Sequence, residues 1–293
     1  AISAGAEHTC AVNLSGEVKC WGSNLEDQSS SPGGSFVGVS AGAEHSCGVT
    51  TANTVECWGA DWYDQSSPPT GSFVGVSAGT DHSCGVTTAN TVECWGVDWN
   101  GQSSPPASTY VAVSAGFWHT CALTPSGTVE CWGADWDGQS SPSANTYVSV
   151  SAGGEHTCAL TPSGLVECWG ADWDGQSSPP AGTFSSLSAG RYHSCGITSS
   201  GTVECWGADW DGQTSPPSTP FLSISAGYDH TCGVTTSGTI ECWGWDWAGQ
   251  STPLPFIDAD NDGVTADIDC DDSDPMVSSN CSSDTGISDT GGP

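Results

Sequence analysis

The chain has 293 residues and a strongly one-sided charge, since 34 Asp and Glu face only two Lys and Arg, a formal net charge of −32. Nucleic acid and anionic membranes bind basic surfaces, so we expect neither as a partner. No apolar run reaches the roughly 18 residues of a membrane span, and we expect no membrane insertion. We interpret the chain as a mature form without its leader, or as an excerpt of a longer protein.

A 37-residue repeat organises the chain from its first residue. Each unit holds two cysteines ten positions apart and a histidine two positions before the first cysteine. The seven histidines are His8, His45, His82, His119, His156, His193 and His230. Because no unit carries an insertion, each must occupy an equivalent place in the fold.

The pattern within one unit predicts β-structure. "TYVSVSAG", "HTCAL" and "GLVECWG" are short segments rich in Val, Thr and aromatic residues, separated by Gly, Ser and Pro. We expect these three strands and a weak fourth near "GQSSP". Seven all-β units of equal length favour a ring of blades, that is, a seven-bladed β-propeller over residues 1-257.

A three-residue hairpin turn is predicted between the two cysteines of each unit. In the fourth unit Thr124 faces Thr128, and the third turn position is Gly127. That position requires a left-handed backbone, which Gly and, less often, Asn adopt. The residues there are Gly16, Asn53, Asn90, Gly127, Gly164, Gly201 and Gly238.

The hairpin register predicts a disulfide in every blade, because Cys121 and Cys131 are equidistant from the turn and therefore face each other. Each bridge should stabilise the fold by roughly 2 to 3 kcal/mol and indicates an oxidising, extracellular compartment. The alternative is zinc held by His119, Cys121 and Cys131, which we disfavour because no Cys-x-x-Cys spacing occurs. The expected blade pairs are Cys10-Cys20, Cys47-Cys57, Cys84-Cys94, Cys121-Cys131, Cys158-Cys168, Cys195-Cys205 and Cys232-Cys242. The two cysteines left over give an expected eighth pair, Cys270-Cys281.

The recurring "SAGxxHTCAL" and "SGxVxCWGxxxxGQ" resemble the repeats of the regulator of chromosome condensation family over nearly all of residues 1 to 255. The resemblance implies a seven-bladed propeller, and the cysteine pairs are similar to those of secreted, bacterial members. It also implies framework roles for Ser151, Ala152, Gly153, His156, Trp169, Gly170 and their equivalents. Asp172 stands where the family often has Asn. The family's nuclear exchange-factor role is not expected, because this acidic chain has no basic face for chromatin.

The two ends of the repeat array fit a closed ring. The first unit begins at Ala1 and lacks the counterparts of Tyr147 and Val148. We expect Phe256 and Ile257, which follow the seventh unit, to complete the first blade and leave no open sheet edge.

The "DWDGQ" loop repeats Asp, Trp and Gln. We favour a packing role, in which each Trp caps the neighbouring blade while Asp and Gln satisfy loop backbone groups. The alternative is a ring of glycan sites, since a Trp face stacks on a sugar while Asp and Gln bind its hydroxyls. Calcium here is disfavoured because the loop offers too few ligands. The possible glycan-binding residues are Asp61, Trp62, Asp98, Trp99, Asp135, Trp136, Asp172, Trp173, Asp209, Trp210, Asp246 and Trp247. The Gln residues are Gln28, Gln65, Gln102, Gln139, Gln176, Gln213 and Gln250.

No residue pattern indicates an enzyme. The seven histidines lie inside a strand motif without a nearby nucleophile, so we interpret them as structural. The sequence has no catalytic-triad signature, no phosphate-binding loop and no carboxylate pair set apart from the repeat. We therefore expect a non-enzymatic protein.

An Asp-rich segment at residues 258-275 predicts a calcium loop. Asp258, Asp260 and Asp262 occupy its first, third and fifth positions, Gly263 the sixth and Asp269 the twelfth. It resembles the calcium repeats of thrombospondins and bacterial surface proteins; a solvated acidic linker is the alternative. The expected ligands for Ca²⁺, including a second ion, are Asp258, Asp260, Asp262, Val264, Asp267, Asp269, Asp271, Asp272 and Asp274.

The Ser, Asp, Thr and Gly tail at residues 276-293 completes the functional hypothesis. We expect an extracellular or cell-surface bacterial protein with a structural or adhesive role, which assembles with itself head to tail through this tail into filaments. A multivalent lectin is one alternative. A protein-binding inhibitor is another, with contacts at the variable positions Phe117, Trp118, Arg191, Tyr192, Tyr228 and Trp245.

Overall fold

A computed structural model of the protein describes residues 1–254, which form 21 β-strands in seven antiparallel sheets of three strands each. Every repeat is one sheet, or blade, numbered here in chain order. Residues after each third strand form turns, so the expected fourth strand near "GQSSP" is wrong. The reason is local, because those polar side chains bond within their own loop.

Each blade has an inner, a middle and an outer strand. The inner strands are β1 (Ile2–Ala4), β4 (Phe36–Ala41), β7 (Phe73–Ala78), β10 (Ala112–Ala115), β13 (Ser149–Ala152), β16 (Phe184–Ala189) and β19 (Phe221–Ala226). The middle strands are β2 (His8–Val12), β5 (His45–Thr50), β8 (His82–Thr87), β11 (His119–Leu123), β14 (His156–Leu160), β17 (His193–Thr198) and β20 (His230–Thr235). The outer strands are β3 (Val18–Gly22), β6 (Val55–Gly59), β9 (Val92–Gly96), β12 (Val129–Gly133), β15 (Val166–Gly170), β18 (Val203–Gly207) and β21 (Ile240–Gly244).

The strand register confirms the disulfide prediction for the propeller. Cys121 faces Cys131 across β11 and β12, and the other six blades repeat this pairing. All seven bridges are formed, with Cα atoms 4.0 to 4.1 Å apart. No cysteine within residues 1–254 is free, which removes the zinc alternative there. Cys270 and Cys281 lie outside the described residues.

The hairpin turns also follow the sequence prediction. The third turn residue has φ of 85° at Gly127 and 63° at Asn53, which is the left-handed region. The Thr124 N–H donates to the Thr128 carbonyl at 2.9 Å, and the Gly127 N–H donates to the Thr124 carbonyl at 3.0 Å. The turn chemistry therefore fixes the register that brings the cysteines together.

The blades close into a ring. The Tyr228 N–H of blade 7 donates to the Gly5 carbonyl of blade 1 at 3.1 Å, and the Trp21 indole donates to the Gln250 carbonyl at 2.9 Å. Closure thus takes place within the described chain. The predicted contribution of Phe256 and Ile257 lies outside the described residues.

The glycine of each Ser-Ala-Gly turn permits the close approach of blades at the axis. A Cβ on Gly42 would lie 2.5 Å from the Gly79 carbonyl oxygen and 2.7 Å from Cε1 of His45. Real Cβ atoms do not approach that closely, so any side chain would push the blades apart. The Ala and Gly of all seven blades line the narrow central channel.

The hydrophobic core lies between blades rather than inside them. Phe73 and Trp95 of blade 3 pack on Val49, Val55 and the Cys47 bridge of blade 2. The same arrangement recurs at the next interfaces, with Tyr, Phe and Trp from one blade against Val, Leu and Cys from its neighbour. Because each sheet buries its apolar face only against the next one, the ring is needed for stability.

The two faces of the ring are formed by different loops. His119, which begins β11, pairs with Gly133, which ends β12. The loops after the inner and outer strands therefore lie at the same end of the blade, and the hairpin turn lies at the other. We call the first end the axial face and the second the hairpin face.

Candidate binding face

Beneath the axial face each of the seven histidines makes a hydrogen bond across a blade interface, and the seven bonds encircle the axis. Each Nε2 lies 2.7 to 2.8 Å from the Ser or Thr hydroxyl of the next blade, and His230 completes the ring at Thr9. All seven histidines are fully buried. The structural interpretation of these residues agrees with this arrangement.

The main-chain carbonyl of each repeat Gln joins the ring to the core Trp. Gln102 accepts one hydrogen bond from the Thr120 hydroxyl at 2.9 Å and another from the Trp132 indole at 2.9 Å. The Gln102 side chain in turn accepts from the Asn100 N–H at 2.9 Å, and the other repeats keep these bonds. The part of the prediction that gave Gln to the loop backbone is confirmed.

The histidine ring must be neutral. The Ser46 hydroxyl donates its one hydrogen to the Gln28 carbonyl at 3.1 Å, so it accepts from Nε2–H of His8. Nδ1 of His8 is buried without a hydrogen-bond partner in the described chain, and a proton there would have no acceptor. Burial lowers the pKa of His8 to about 3 and that of His45 to about 4.

The packing role predicted for the loop Trp is wrong. Trp136 is 67% exposed and Trp247 is 79% exposed, whereas Trp132 of the outer strand is only 8% exposed. The other loop Trp residues that are exposed in the same way are Trp62, Trp99, Trp173 and Trp210. Blade packing is supplied by the strand Trp instead, because its side chain leaves the face of the sheet and packs on the neighbouring blade. Six indole rings therefore face solvent on the axial face.

The Asp residues that precede these Trp serve the loop. Oδ1 of Asp135 accepts from the Ser140 N–H at 2.8 Å, and Oδ2 accepts from the Ser141 hydroxyl at 2.7 Å. Asp61, Asp98, Asp172, Asp209 and Asp246 make the matching pair of bonds. Both carboxylate oxygens are thus engaged before any ligand arrives, as the loop-backbone role predicts.

Four residues gather over the central channel. The guanidinium carbon of Arg191 lies 4.6 Å from the ring centre of Tyr192, 5.5 Å from that of Phe117 and 5.3 Å from that of Tyr228. Phe117 and Tyr228 also contact each other at 4.6 Å. This axial cluster borders a cavity of about 290 Å³. The structure therefore brings together four of the six variable positions noted in the sequence.

Aromatic contacts connect the axial loops to the exposed Trp ring. Trp99 stacks on Trp118 with ring centres 6.4 Å apart, and Trp245 stacks on Trp247 at 6.3 Å. Tyr192 of the axial cluster lies 5.5 Å from the ring of Trp210. The remaining two variable positions, Trp118 and Trp245, thus join the same face as the other four.

Carboxylates crowd the same face, a feature that the sequence reasoning missed. The residue before each ring His is acidic in five repeats, and the five are Glu7, Glu44, Asp81, Glu155 and Asp229. Desolvation raises the pKa of Glu44 and Asp81 above the ordinary range, and the charges of Glu26 and Asp81 raise that of Glu44 further. The signal was available, because an acidic residue at one fixed position recurs in five of seven units.

At two blade interfaces the Asp that follows an exposed Trp acts electrostatically on a carboxylate of the next blade. Desolvation and the charge of Asp137 raise the pKa of Glu155, and Arg191 opposes this. Desolvation likewise raises the pKa of Asp229. The charge of Arg191 lowers this pKa, and the charge of Asp211 raises it. In each pair one carboxylate belongs to the loop after the outer strand of one blade. The other belongs to the loop after the inner strand of the next blade.

Within residues 1–254 we searched for metal sites and for membrane-spanning helices. Within residues 1–254 no group of three or more His, Cys, Asp or Glu side chains is arranged to hold a metal ion. The predicted calcium ligands from Asp258 to Asp274 lie outside these residues. The described residues also contain no helix with the length and apolar character of a membrane span.

Comparisons with known proteins place this geometry in context. The sequence profile of the regulator of chromosome condensation (RCC1) repeat matches residues 1–28, 110–139, 147–176, 184–213 and 221–250, about half of the chain. The search of curated proteins found no match.

Solved structures share the fold over most of the chain. The CRINKLY WD40 ectodomain of the Arabidopsis thaliana receptor kinase ACR4 is 28% identical, with a TM-score of 0.72, 84% of this chain covered and 97% of that one. The ectodomain of the Physcomitrella patens receptor kinase CR4 is 24% identical, with a TM-score of 0.73 and coverages of 87% and 77%. Prp20p from Saccharomyces cerevisiae is 17% identical, with a TM-score of 0.65 and coverages of 78% and 80%.

Proposed function

Because the chain belongs to the regulator of chromosome condensation repeat family, we propose that it is a non-enzymatic extracellular propeller that binds another protein through its axial face. One observation carries this proposal: within residues 1–254 the exposed aromatic side chains of the axial cluster and the Trp ring gather on one face, at positions that the fold leaves free to vary.

The positions after Ser-Ala-Gly show this freedom most clearly. Phe117, Arg191 and Tyr228 occupy a position that other repeats fill with Ala43 or Gly154, while the histidine ring beneath them stays unchanged. The blade therefore needs no aromatic side chain there. Partly exposed Tyr, Trp and Arg are the residue types that dominate the energetics of protein interfaces.

The comparisons support an extracellular binding role. Seven disulfides indicate an oxidising compartment, and the receptor-kinase propeller that is 28% identical is an ectodomain. Yeast Prp20p has binding properties toward Gsp1p and histones, but at 17% identity that likeness shows the fold alone. The partner of this chain is therefore sought from its own surface.

Affinity capture tests the proposal. The wild-type protein and a Trp118→Ser/Trp247→Ser variant would be used as bait on the secreted and surface proteins of the source, and captured proteins would be purified and rebound to the bait. We expect a partner that binds the wild type and loses at least tenfold in affinity for the variant. Leu165→Ser on the hairpin face is the matched control, since Leu165 is 51% exposed. A partner equally sensitive to both changes, or none at all, contradicts the proposal.

Glycan binding is the second candidate function, and the exposure of six loop Trp favours it. A sugar site also needs polar groups beside the stacking ring, and here both oxygens of Asp135 and its equivalents already serve the loop. Glycan-array binding that Trp173→Ala removes without loss of stability would support the lectin. The absence of any saccharide-dependent change in Trp fluorescence would exclude it.

We further propose that the protein is a structural or adhesive component of a bacterial surface, which associates with itself through residues 276–293. Asp258, Asp260, Asp262 and Asp269 would bind Ca²⁺ because four unpaired carboxylates in one loop repel each other. These residues lie outside the described chain. A chelator should therefore shorten native assemblies and expose the tail to proteolysis. Assemblies of unchanged length with a protected tail would refute both the calcium and the tail contact.

A further inference from the structure

The exposed Trp ring has charged neighbours of one sign. Asp137 directly follows Trp136, Asp174 follows Trp173 and Asp211 follows Trp210. The oxygens of the preceding Asp are held by the loop, but the following Asp contributes only its backbone N–H, which donates to the repeat Gln at 2.9 Å. Each of these three loops therefore presents an indole face with a carboxylate beside it.

Neighbouring blades add a second carboxylate at two of these loops. Asp137 of blade 4 is close enough to Glu155 of blade 5 for its charge to raise the pKa of Glu155. Asp211 of blade 6 raises the pKa of Asp229 of blade 7 as well, although Arg191 has the larger and opposite effect there. Like charges held together are unfavourable, and a cation placed between them would remove that repulsion.

The molecule already shows how a cation sits on this face. Its own Arg191 lies over three aromatic rings at 4.6 to 5.5 Å, in the range of cation–π contacts. Among residues 1–254 the only other Lys or Arg is Lys19, whose Nζ lies 3.9 Å from Glu17. The charge of Arg191 also acts on Glu155 and Asp229, but its ring contacts are with Phe117, Tyr192 and Tyr228. The exposed loop indoles offer the same kind of aromatic face to a cation from a partner.

We propose that the axial face binds a basic polypeptide segment, with Lys or Arg side chains seated on Trp136 and Trp210 between the carboxylate pairs Asp137/Glu155 and Asp211/Asp229. The proposal rests on the proposed protein-binding function and names the chemistry of the partner. The charge of the whole chain, −32, steers such a segment toward the protein, while the indole faces and paired carboxylates give it defined positions.

Synthetic peptides test the chemistry on the full-length protein. The probe is a peptide of alternating Lys and Gly, compared with peptides in which citrulline or norleucine replaces Lys, and binding is followed by calorimetry and Trp fluorescence. We expect the Lys peptide to bind with an affinity that falls as salt rises, and the uncharged peptides to bind at least tenfold more weakly.

Matched variants separate a defined site from general attraction to a polyanion. Asp137→Asn/Glu155→Gln should weaken Lys-peptide binding about fivefold, and Trp136→Leu, which keeps an apolar side chain, about threefold. The control Glu93→Gln/Glu204→Gln makes the same charge change on the exposed outer strands β9 and β18 and should change affinity less than twofold.

Several results would overturn the inference. Equal losses in the pair variant and the control would show net-charge attraction without a site, and equal binding of the citrulline peptide would show that no cation is recognised. Displacement of the peptide by millimolar CaCl₂, but not by matched NaCl, would assign the carboxylate pairs to a metal ion. If the captured protein partner still depends on Trp118 and Trp247 while the Lys peptide fails, the protein-binding function stands and the basic-partner inference falls.

Discussion

The two ends of the blades have different sequence rules. At the hairpin face the three-residue turns consist of Thr, Pro, Ser, Ala, Asn and Gly, apart from Leu14 in the first unit, and the third turn residue is always left-handed. At the axial face the residues after Ser-Ala-Gly range from Gly154 to Arg191 and Phe117, although they follow the same turn. The hairpin turn determines which cysteines meet, whereas the axial loop lies above a core that the histidine ring already holds. The widest variation in side-chain size and charge at a single repeat position therefore lies on the face that we assign to binding.

Acid should cause the largest loss of stability, because the seven buried histidines take up protons far more readily in the unfolded chain than in the folded one. The folded-state pKa of the seven histidines is lowered to about 3 or about 4, from 6.5. The unfolded chain therefore takes up protons first. The stabilisation of the folded protein by its neutral histidines is fully present above pH 6.5 and is lost as the pH falls below that value. The loss is about 1 kcal/mol of unfolding free energy per histidine between about pH 7 and about pH 5.5.

Four axial carboxylates act in the opposite direction. Burial raises the pKa of Glu44, Asp81, Glu155 and Asp229, so the folded chain takes up their protons before the unfolded chain does. Because only four carboxylates oppose seven histidines, we expect acid to lower the free energy of unfolding. Denaturant unfolding at a series of pH values measures it, and a free energy of unfolding that stays constant down to pH 5 would mean that the ring accepts protons.

The two Trp of one repeat give the sharpest single-residue comparison. Trp132→Ala removes a buried indole that packs between blades and donates to Gln102, and should cost about 3 to 5 kcal/mol of unfolding free energy. Trp136→Ala lies four residues later and should stay within about 0.5 kcal/mol of wild type. Equal losses in denaturant unfolding would mean that the loop Trp also packs.

Removal of one disulfide should have an intermediate effect. Cys121→Ser/Cys131→Ser deletes a cross-strand bridge that closes a short loop and should lower the free energy of unfolding by roughly 2 to 3 kcal/mol. Thiol titration of the folded wild-type propeller should find no free cysteine among its seven pairs. Reactive thiols, or bound zinc, would contradict the register assigned to the hairpins.

The smallest stability effect belongs to the turn. Gly127 has φ of 85°, and a Cβ there would lie 3.0 Å from the Tyr147 carbonyl oxygen, so Gly127→Ala should cost about 1 to 2 kcal/mol. Ser126→Ala in the same turn is the control and should cost about 0.5 kcal/mol or less. Thermal unfolding compares the two, and a Gly127→Ala variant as stable as wild type would show that the turn relaxes.

The sequence was sufficient for the features that depend on spacing. The distance of Cys121 and Cys131 from the turn predicts their bridge, and Gly or Asn at the third turn position predicts its left-handed backbone. It was insufficient for the loop Trp, because one repeated residue type served two purposes. Trp132 has a counterpart in all seven units and Trp136 in six, a difference too small to separate their roles. The structure separates them because Trp132 lies in β12 and Trp136 lies in the loop after it.

The axial cluster shows a second limit of sequence reasoning. Phe117, Arg191 and Tyr228 are separated by whole repeats, and they meet because the ring brings equivalent positions to one axis. Their variability marked them as binding residues, but their mutual contacts follow only from closure. The carboxylate pair Asp137 and Glu155 was missed for the same reason, since its members belong to adjacent blades.

Residue-resolved footprinting of the complex with the captured partner tests the central claim most directly. Oxidative labelling would be compared for the free and bound propeller, with the exposed Trp99, Trp136, Trp210 and Trp247 as reporters and Leu165 as the reporter of the hairpin face. We expect protection of the four Trp on binding and unchanged labelling of Leu165. Protection of Leu165 with the loop Trp still reactive would place the partner on the hairpin face and contradict this account.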